Sequence, residues 1–392
     1  MERMHIFPVN NALDEKLFLA VPVQLYKNDP HWIQPLNKDI LEVFDPSKNK
    51  AFRFGKAQRW VLKNASGVLI GRIAAFVNKK YKNKDDDMSV GGIGFFECIH
   101  QQEAANLLFD TAKQWLIENG MEAMDGPINF GERDRWWGLV TDGFHPPLYG
   151  MNYNPPYYQT LFEQYGFQCF YNQICIGMYP KKPLQQKIWD RHAPYAADAD
   201  FSARHLQKKQ LEKYAQDFAT VYNKAWAGHG GLKELSVEQV VLMFKKMKPV
   251  MDERIIWFAY HKEEPIALFV NLPDLNQWFK YLHGHFGWMH KLYFLWLKTF
   301  KRNPRFTGLV FGVVPEFQGK GVDAYIIGES AKLIQSDALP YTAYEMQWIG
   351  DFNPKMLNIA QNLGEVFNSR NLQTLRYNFD PSKPFKRHPI FS

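Results

Sequence analysis

The chain has 392 residues, is 46% hydrophobic and carries a formal net charge of +7. That length suits two domains with substantial cores, and the charge is too mild for a dedicated nucleic-acid binder, so no nucleic-acid partner is expected. Its three cysteines, Cys98, Cys169 and Cys175, are odd in number and form no CxxC pair. This argues against a disulfide framework and a structural zinc, so no metal is expected and the expected setting is a reducing, cytoplasmic one. The first twenty residues show no signal-like apolar region, and no run reaches the ~18–20 apolar residues that span a bilayer, so no stable membrane insertion is expected.

Residues 1–50 read as an N-terminal arm of helical pieces with turns at Pro30, Pro35 and Pro46. Residues 59–62 and 68–78 read as a hairpin turned at 64–67, followed by a charged loop at 79–87 and a strand at 92–99. Over 101–119, Ala105, Leu108, Ala112, Trp115 and Leu116 recur at helical spacing, and Gly120 stops the helix. A strand at 123–128 follows, then Asn154-Pro155-Pro156 opening a short helix through Tyr165, then a strand at 169–178. Asn154 suits an N-cap and Pro155 the first helical position.

The second half repeats this order. It has a hairpin from 255–260 and 266–271, a strand at 306–314, a helix at 321–334 and a strand at 344–349. A short helix after Asn353-Pro354, then Gly364, then a strand at 374–379 complete it. Two matched units of this kind predict an α/β (α+β) fold made by duplication. Residues 1–185 form the first domain, 201–392 the second, and the proline-bearing stretch 180–200 holds the linker, 186–200.

The most informative stretch is Val313-Val314-Pro315-Glu316-Phe317-Gln318-Gly319-Lys320-Gly321-Val322-Asp323, which joins a predicted strand to a predicted helix. A glycine-bearing loop at a helix start holds phosphate, because the first-turn N–H groups point at the anion and the helix dipole favours it. The corresponding junction of the first half, Phe96-Glu97-Cys98-Ile99-His100-Gln101-Gln102, has no glycine, and Glu97 would repel phosphate.

This order of elements, with Gln318, Gly321 and Asp323 on the three key places of the loop, resembles the Gcn5-related N-acetyltransferase (GNAT) superfamily. It is most similar to uncharacterised bacterial two-domain, tandem GNAT-like proteins, each domain a mixed central sheet flanked by helices. Gly126-Pro127, Asn154-Pro155-Pro156-Tyr157-Tyr158, Gly166-Phe167, Leu272-Pro273-Asp274-Leu275-Asn276, Glu345, Asn353 and Leu363-Gly364 carry the likeness over most of the chain. The sequence departs from the family at Asp323, where glycine or alanine is usual. It departs again at Phe162 and Ala360, where many members place a proton-donating tyrosine.

The resemblance implies acyl transfer from acetyl-CoA or another acyl-CoA, as donor substrate, to a small-molecule amine, with the donor in the second half only. Val313 and Val314 would hold the thioester carbonyl, Gln318, Gly319, Lys320 and Gly321 the pyrophosphate, and Asn353 would also lie at the donor. Glu345, His283 and His285 are the candidates for the base that deprotonates the amine. Judged by residue type alone, Glu345 reads first as a solvated or salt-bridged strand residue and the histidines as structural hydrogen-bonders. Arg133, Arg135, Trp136 and Trp137 form a loop that mixes charge and tryptophan and could meet the acceptor, as could Tyr157 and Tyr158. The aromatic and basic stretch 278–301 reads as core or lid, or as an amphipathic face for membrane or acyl chains. The alternative readings are an inactive acyl-CoA-binding protein and a transferase that uses a carrier protein or aminoacyl-tRNA as donor. A monomer or a homodimer fits equally.

Overall fold

The computed structural model describes residues 3–83, 85–226 and 234–390. The N-terminal arm begins with a strand the sequence did not suggest, β1 (His5–Pro8), followed by α1 (Ala12–Leu25) and α2 (Asn37–Val43). The Asn11 side chain caps α1 by accepting the N–H groups of Leu13 and Asp14. The expected hairpin is β2 (Gly55–Lys63) with β3 (Leu69–Asn78), and β4 (Val90–Cys98) follows. Then come α3 (Gln102–Glu118), β5 (Ala123–Gly126), β6 (Leu139–Asp142), α4 (Tyr157–Tyr165) and β7 (Gln168–Met178). The apolar stripe of α3 buries Ala105, Leu108, Ala112 and Leu116 against the sheet, as its periodicity requires.

Asn154 does not cap α4. It is buried, its Oδ1 accepts from Val140 N and its Nδ2 donates to Val140 O, so it clamps β6 instead. The expected linker is also different: residues 186–196 form α5 (Gln186–Ala196). Pro194 lies in the last turn, where it removes one N–H without breaking the helix.

The second half comprises β8 (Phe201–His205), α6 (Leu211–Trp226), α7 (Val237–Met247), β9 (Ile256–His261), β10 (Glu264–Pro273), α8 (Asn276–Phe279) and α9 (Trp288–Phe300). It continues with β11 (Arg305–Val313), α10 (Val322–Ile334), β12 (Ala343–Met346), β13 (Ile349–Gly350), α11 (Pro354–Gln361) and β14 (Val366–Asn378). Helix α5 packs along α10: His192 Nε2 lies 2.7 Å from Glu329 Oε1, and the absent side chain of Gly328 makes room for the His192 ring.

All strands join one mixed sheet in the order β1-β2-β3-β4-β5-β14-β7-β12-β11-β10-β9-β8, with β6 added to β14 and β13 to β7. The halves exchange their last strands. β14 lies between β5 and β7, both from the first half, and β7 pairs antiparallel with β12 of the second. The duplication is thus legible in element order, yet the sheet runs without a break through the expected boundary. Buried ion pairs fasten the exchanged strand: Arg376 to Asp125 at 2.6 Å, and Arg370 to Glu345 at 3.3 Å.

Candidate functional site

The glycine loop lies where the sequence places it, between β11 and α10. Gly319 has φ of +72° and Gly321 φ of +102°, conformations that other residues adopt only with strain, so both glycines also have a structural reason. Gly321 is the N-cap of α10 and has no side chain with which to cap it. The first-turn N–H groups are left for solvent or an anion. Asp323, in that first turn, is turned sideways: Arg191 of α5 donates to its Oδ1 at 3.1 Å. Tyr195, one turn further along α5, donates to the Lys320 carbonyl. Gln318 turns back into its own loop, where Nε2 donates to Val313 O at 2.9 Å.

Beside this loop two parallel strands part. β11 and β12 pair from Arg305/Ala343 to Gly308/Met346, where β12 ends. β11 continues to Val313 against β10 alone, and Leu309 bulges out of that register. Of the two expected backbone donors, Val314 is spent, because its N–H bonds Ile266 O at 2.9 Å. N–H groups alternate along a strand, so that of Val313 faces the opened side.

Below the opening is an apolar slot of about 60 Å³, lined by residues including Phe306, Phe311, Ile327, Ala331, Tyr344 and Met356. Tyr344 is the polar group that stands out. Its ring packs on Phe306 with centroids 4.7 Å apart, and its hydroxyl occupies the place where a side chain at Gly308 would stand. Burial alone raises its pKa, so the phenol stays protonated at neutral pH. Sequence reasoning missed Tyr344, since one tyrosine at a strand start fits any β-sheet.

The candidate bases are not at this opening. Glu345 projects to the opposite face of β12 from Tyr344, as strand alternation demands. There it is buried between Arg370, at 3.3 Å, and Arg305, at 3.9 Å. Both arginines also bind the carbonyl oxygen of Pro146, so the salt-bridged reading of Glu345 is the one the structure supports. His283 and His285 are exposed in the turn before α9, and neither lines the slot. The Asn353 side chain accepts from Met356 N and caps α11.

The matching position in the first half is closed. Tyr157 donates to Cys98 O at 2.8 Å, and the Tyr158 hydroxyl accepts from Cys98 N at 2.8 Å while donating to Glu97 at 2.9 Å. These two tyrosines occupy the strand edge instead of offering it to a substrate. Tyr26 and Arg72 complete the shell around Glu97. Burial nevertheless outweighs these partners and raises the Glu97 pKa.

Arg133, Arg135, Trp136 and Trp137, by contrast, are brought together. They line a cavity of about 720 Å³, with Lys48, Lys50, Lys80 and Lys82 also on its walls. Arg133 stacks over Tyr81 and Trp137 and donates to Asn83 at 3.1 Å. Trp137 donates to Tyr171 at 2.8 Å.

No protein-family model matches the sequence. The chain is 26% identical over 371 residues to the bacterial ceramide synthase of Caulobacter vibrioides (strain NA1000 / CB15N), across 92% of this chain and 94% of that one. It is also 26% identical over 369 residues to protein YghO of Escherichia coli (strain K12), across 90% of each. Among solved structures, a tandem GNAT protein from the clavulanic acid biosynthesis pathway aligns with a TM-score of 0.53 at 11% identity, over 97% of this chain and 100% of that one. The GCN5-related glucosamine N-acetyltransferase region of a fungal multi-domain GH3 β-N-acetylglucosaminidase aligns with a TM-score of 0.54 at 12% identity, over 96% of this chain but 38% of that one. The parted strands, the loop between β11 and α10 and these alignments agree: over its length, this chain has the tandem GNAT fold.

Proposed function

We propose that the protein is an N-acyltransferase that moves an acyl group from acyl-CoA to the amine of a long-chain lipid. The observation that carries this reading is the Tyr344 hydroxyl where the strands part, with a glycine loop on an uncapped helix start at the other end of the opened edge. The residues suit the donor. The start of α10 fits a pyrophosphate, and the slot, apolar on nearly all sides, fits a pantetheine or acyl arm. At about 60 Å³ the slot holds the volume of about two waters, so a long chain enters only as the slot widens.

In the reaction the amine nitrogen attacks the thioester carbonyl carbon. A C–N bond forms, the C–S bond breaks, and the amine gives its surplus proton to water. The Val313 N–H, further along β11 from the Gly308–Tyr344 contact, faces the pantetheine arm between the loop and the parting. The departing thiolate takes the Tyr344 proton, and solvent restores it. Tyr344 thereby does the work of the tyrosine missing at Ala360.

The acceptor is read from the Caulobacter relative, whose name is that of a ceramide synthase. A ceramide is an N-acylated long-chain amine, which shifts the expected donor from acetyl-CoA towards a long-chain acyl-CoA. The 720 Å³ cavity, with Arg133 and Arg135 on its wall, suits a hydroxylated or anionic ligand, but it shares no lining residue with the slot and is not where the reacting amine lies. The test is free-thiol release with acetyl-CoA and palmitoyl-CoA, each against sphinganine and short amines. Release that is fastest for palmitoyl-CoA with sphinganine supports the reading, and release with no pair refutes it.

A further inference from the structure

We propose that α9 is an interfacial helix that seats the protein flat on an anionic phospholipid surface. Phe294 and Leu297 anchor the helix to a small cluster that includes Leu36, Trp278 and Phe279. Nearly everything else apolar on it faces outward: Trp288 is 74% exposed, Phe300 70%, Met289 60% and Leu292 59%, with Tyr293, Leu295 and Trp296 beside them. At 100° per residue, Trp288, Leu292, Leu295 and Trp296 fall on the same side as Met289, Tyr293 and Phe300. This is a broad apolar stripe turned away from the protein, where an amphipathic surface helix would be polar.

The charge around the stripe decides what covers it. From 275 to 315 the chain has no carboxylate, while Lys280, Lys291, Lys298, Lys301 and Arg302 all fall within it. A second copy would bring these cations face to face, whereas anionic lipid head groups complement them. Tryptophan and tyrosine rings favour the head-group level. At 13 residues α9 is about 20 Å long, too short to cross a bilayer, so it lies in the surface plane. It is thus an apolar face with a basic flank, the form that binds membranes by burial and charge together.

The test is flotation of the full chain with vesicles of phosphatidylcholine containing about one-third phosphatidylglycerol, against phosphatidylcholine alone. Binding to the anionic vesicles, a blue shift of tryptophan emission and weakening with salt are expected. Trp288→Glu with Phe300→Glu should lower partitioning roughly tenfold or more, with unchanged circular dichroism and melting, because both side chains are exposed. No binding, equal binding by the variant, or a dimer that the variant dissolves would each overturn the proposal. The assay reads no catalysis, so its outcome is separate from that of the acyltransferase reading.

Discussion

At Asp323 a carboxylate sits in the first turn of the helix assigned to the donor pyrophosphate, and Arg191 holds it aside at 3.1 Å. The bridge is half exposed and contributes little to stability. Its effect is on the anion site. Arg191→Ala lets Asp323 turn onto the first-turn N–H groups, so CoA affinity should fall two- to fivefold, about 0.3–1 kcal/mol. Asp323→Ala should raise it, and calorimetry with CoA that finds Arg191→Ala unchanged contradicts this role. Glu97 makes a different prediction. Its folded pKa is raised, chiefly by burial, so the folded state binds its proton more tightly than the unfolded state does. The stabilisation is present at low pH and is lost as pH rises through that raised pKa. In urea titrations Glu97→Gln should match the wild type near pH 4 and gain relative to it near pH 8. A constant difference at both pH values would contradict the assignment. Of these residues, Gly319 and Gly321 were legible as glycines in a loop before a helix, although their positive φ accounts for them without a ligand. Tyr344 was not, because its role depends on the absent side chain of Gly308 on another strand.

Among the elements, local pattern found α3, α4, α10, α11 and most inner strands, missed α6 and α7, and left the rest to long-range pairing. β1 and β8 have no strong pattern of their own and are strands because β2 and β9 offer edges to them. α5 read as a linker because of its prolines, but its Ile188 and His192 bury against neighbouring structure, and packing outweighs propensity there. β14 was expected only at its last third. Its first part, from Val366, is polar on one face because it carries Arg370 into the seam. Arg370 is fully buried and holds Glu345, His145 O and Pro146 O. Arg370→Ala leaves Glu345 without its nearest partner and should cost roughly 3–5 kcal/mol. Arg370→Met with Glu345→Met, which removes both charges, should cost much less. Equal losses in chemical denaturation would mean that the pair itself carries little.

On the scale of the whole molecule, the strand exchange makes one sheet of two copies and leaves them unequal. The first half has closed its strand edge with Tyr157 and Tyr158. The second keeps the edge open, with the loop at one end and Tyr344 at the parting of β11 and β12. The central claim is that acyl transfer occurs at that parting, with Tyr344 as proton donor. Thiol release from palmitoyl-CoA with sphinganine by Tyr344→Phe tests it most directly. The variant should keep the fold and the affinity for CoA but lose about 10²-fold or more in kcat. A Tyr344→Phe variant that turns over at the wild-type rate would contradict it.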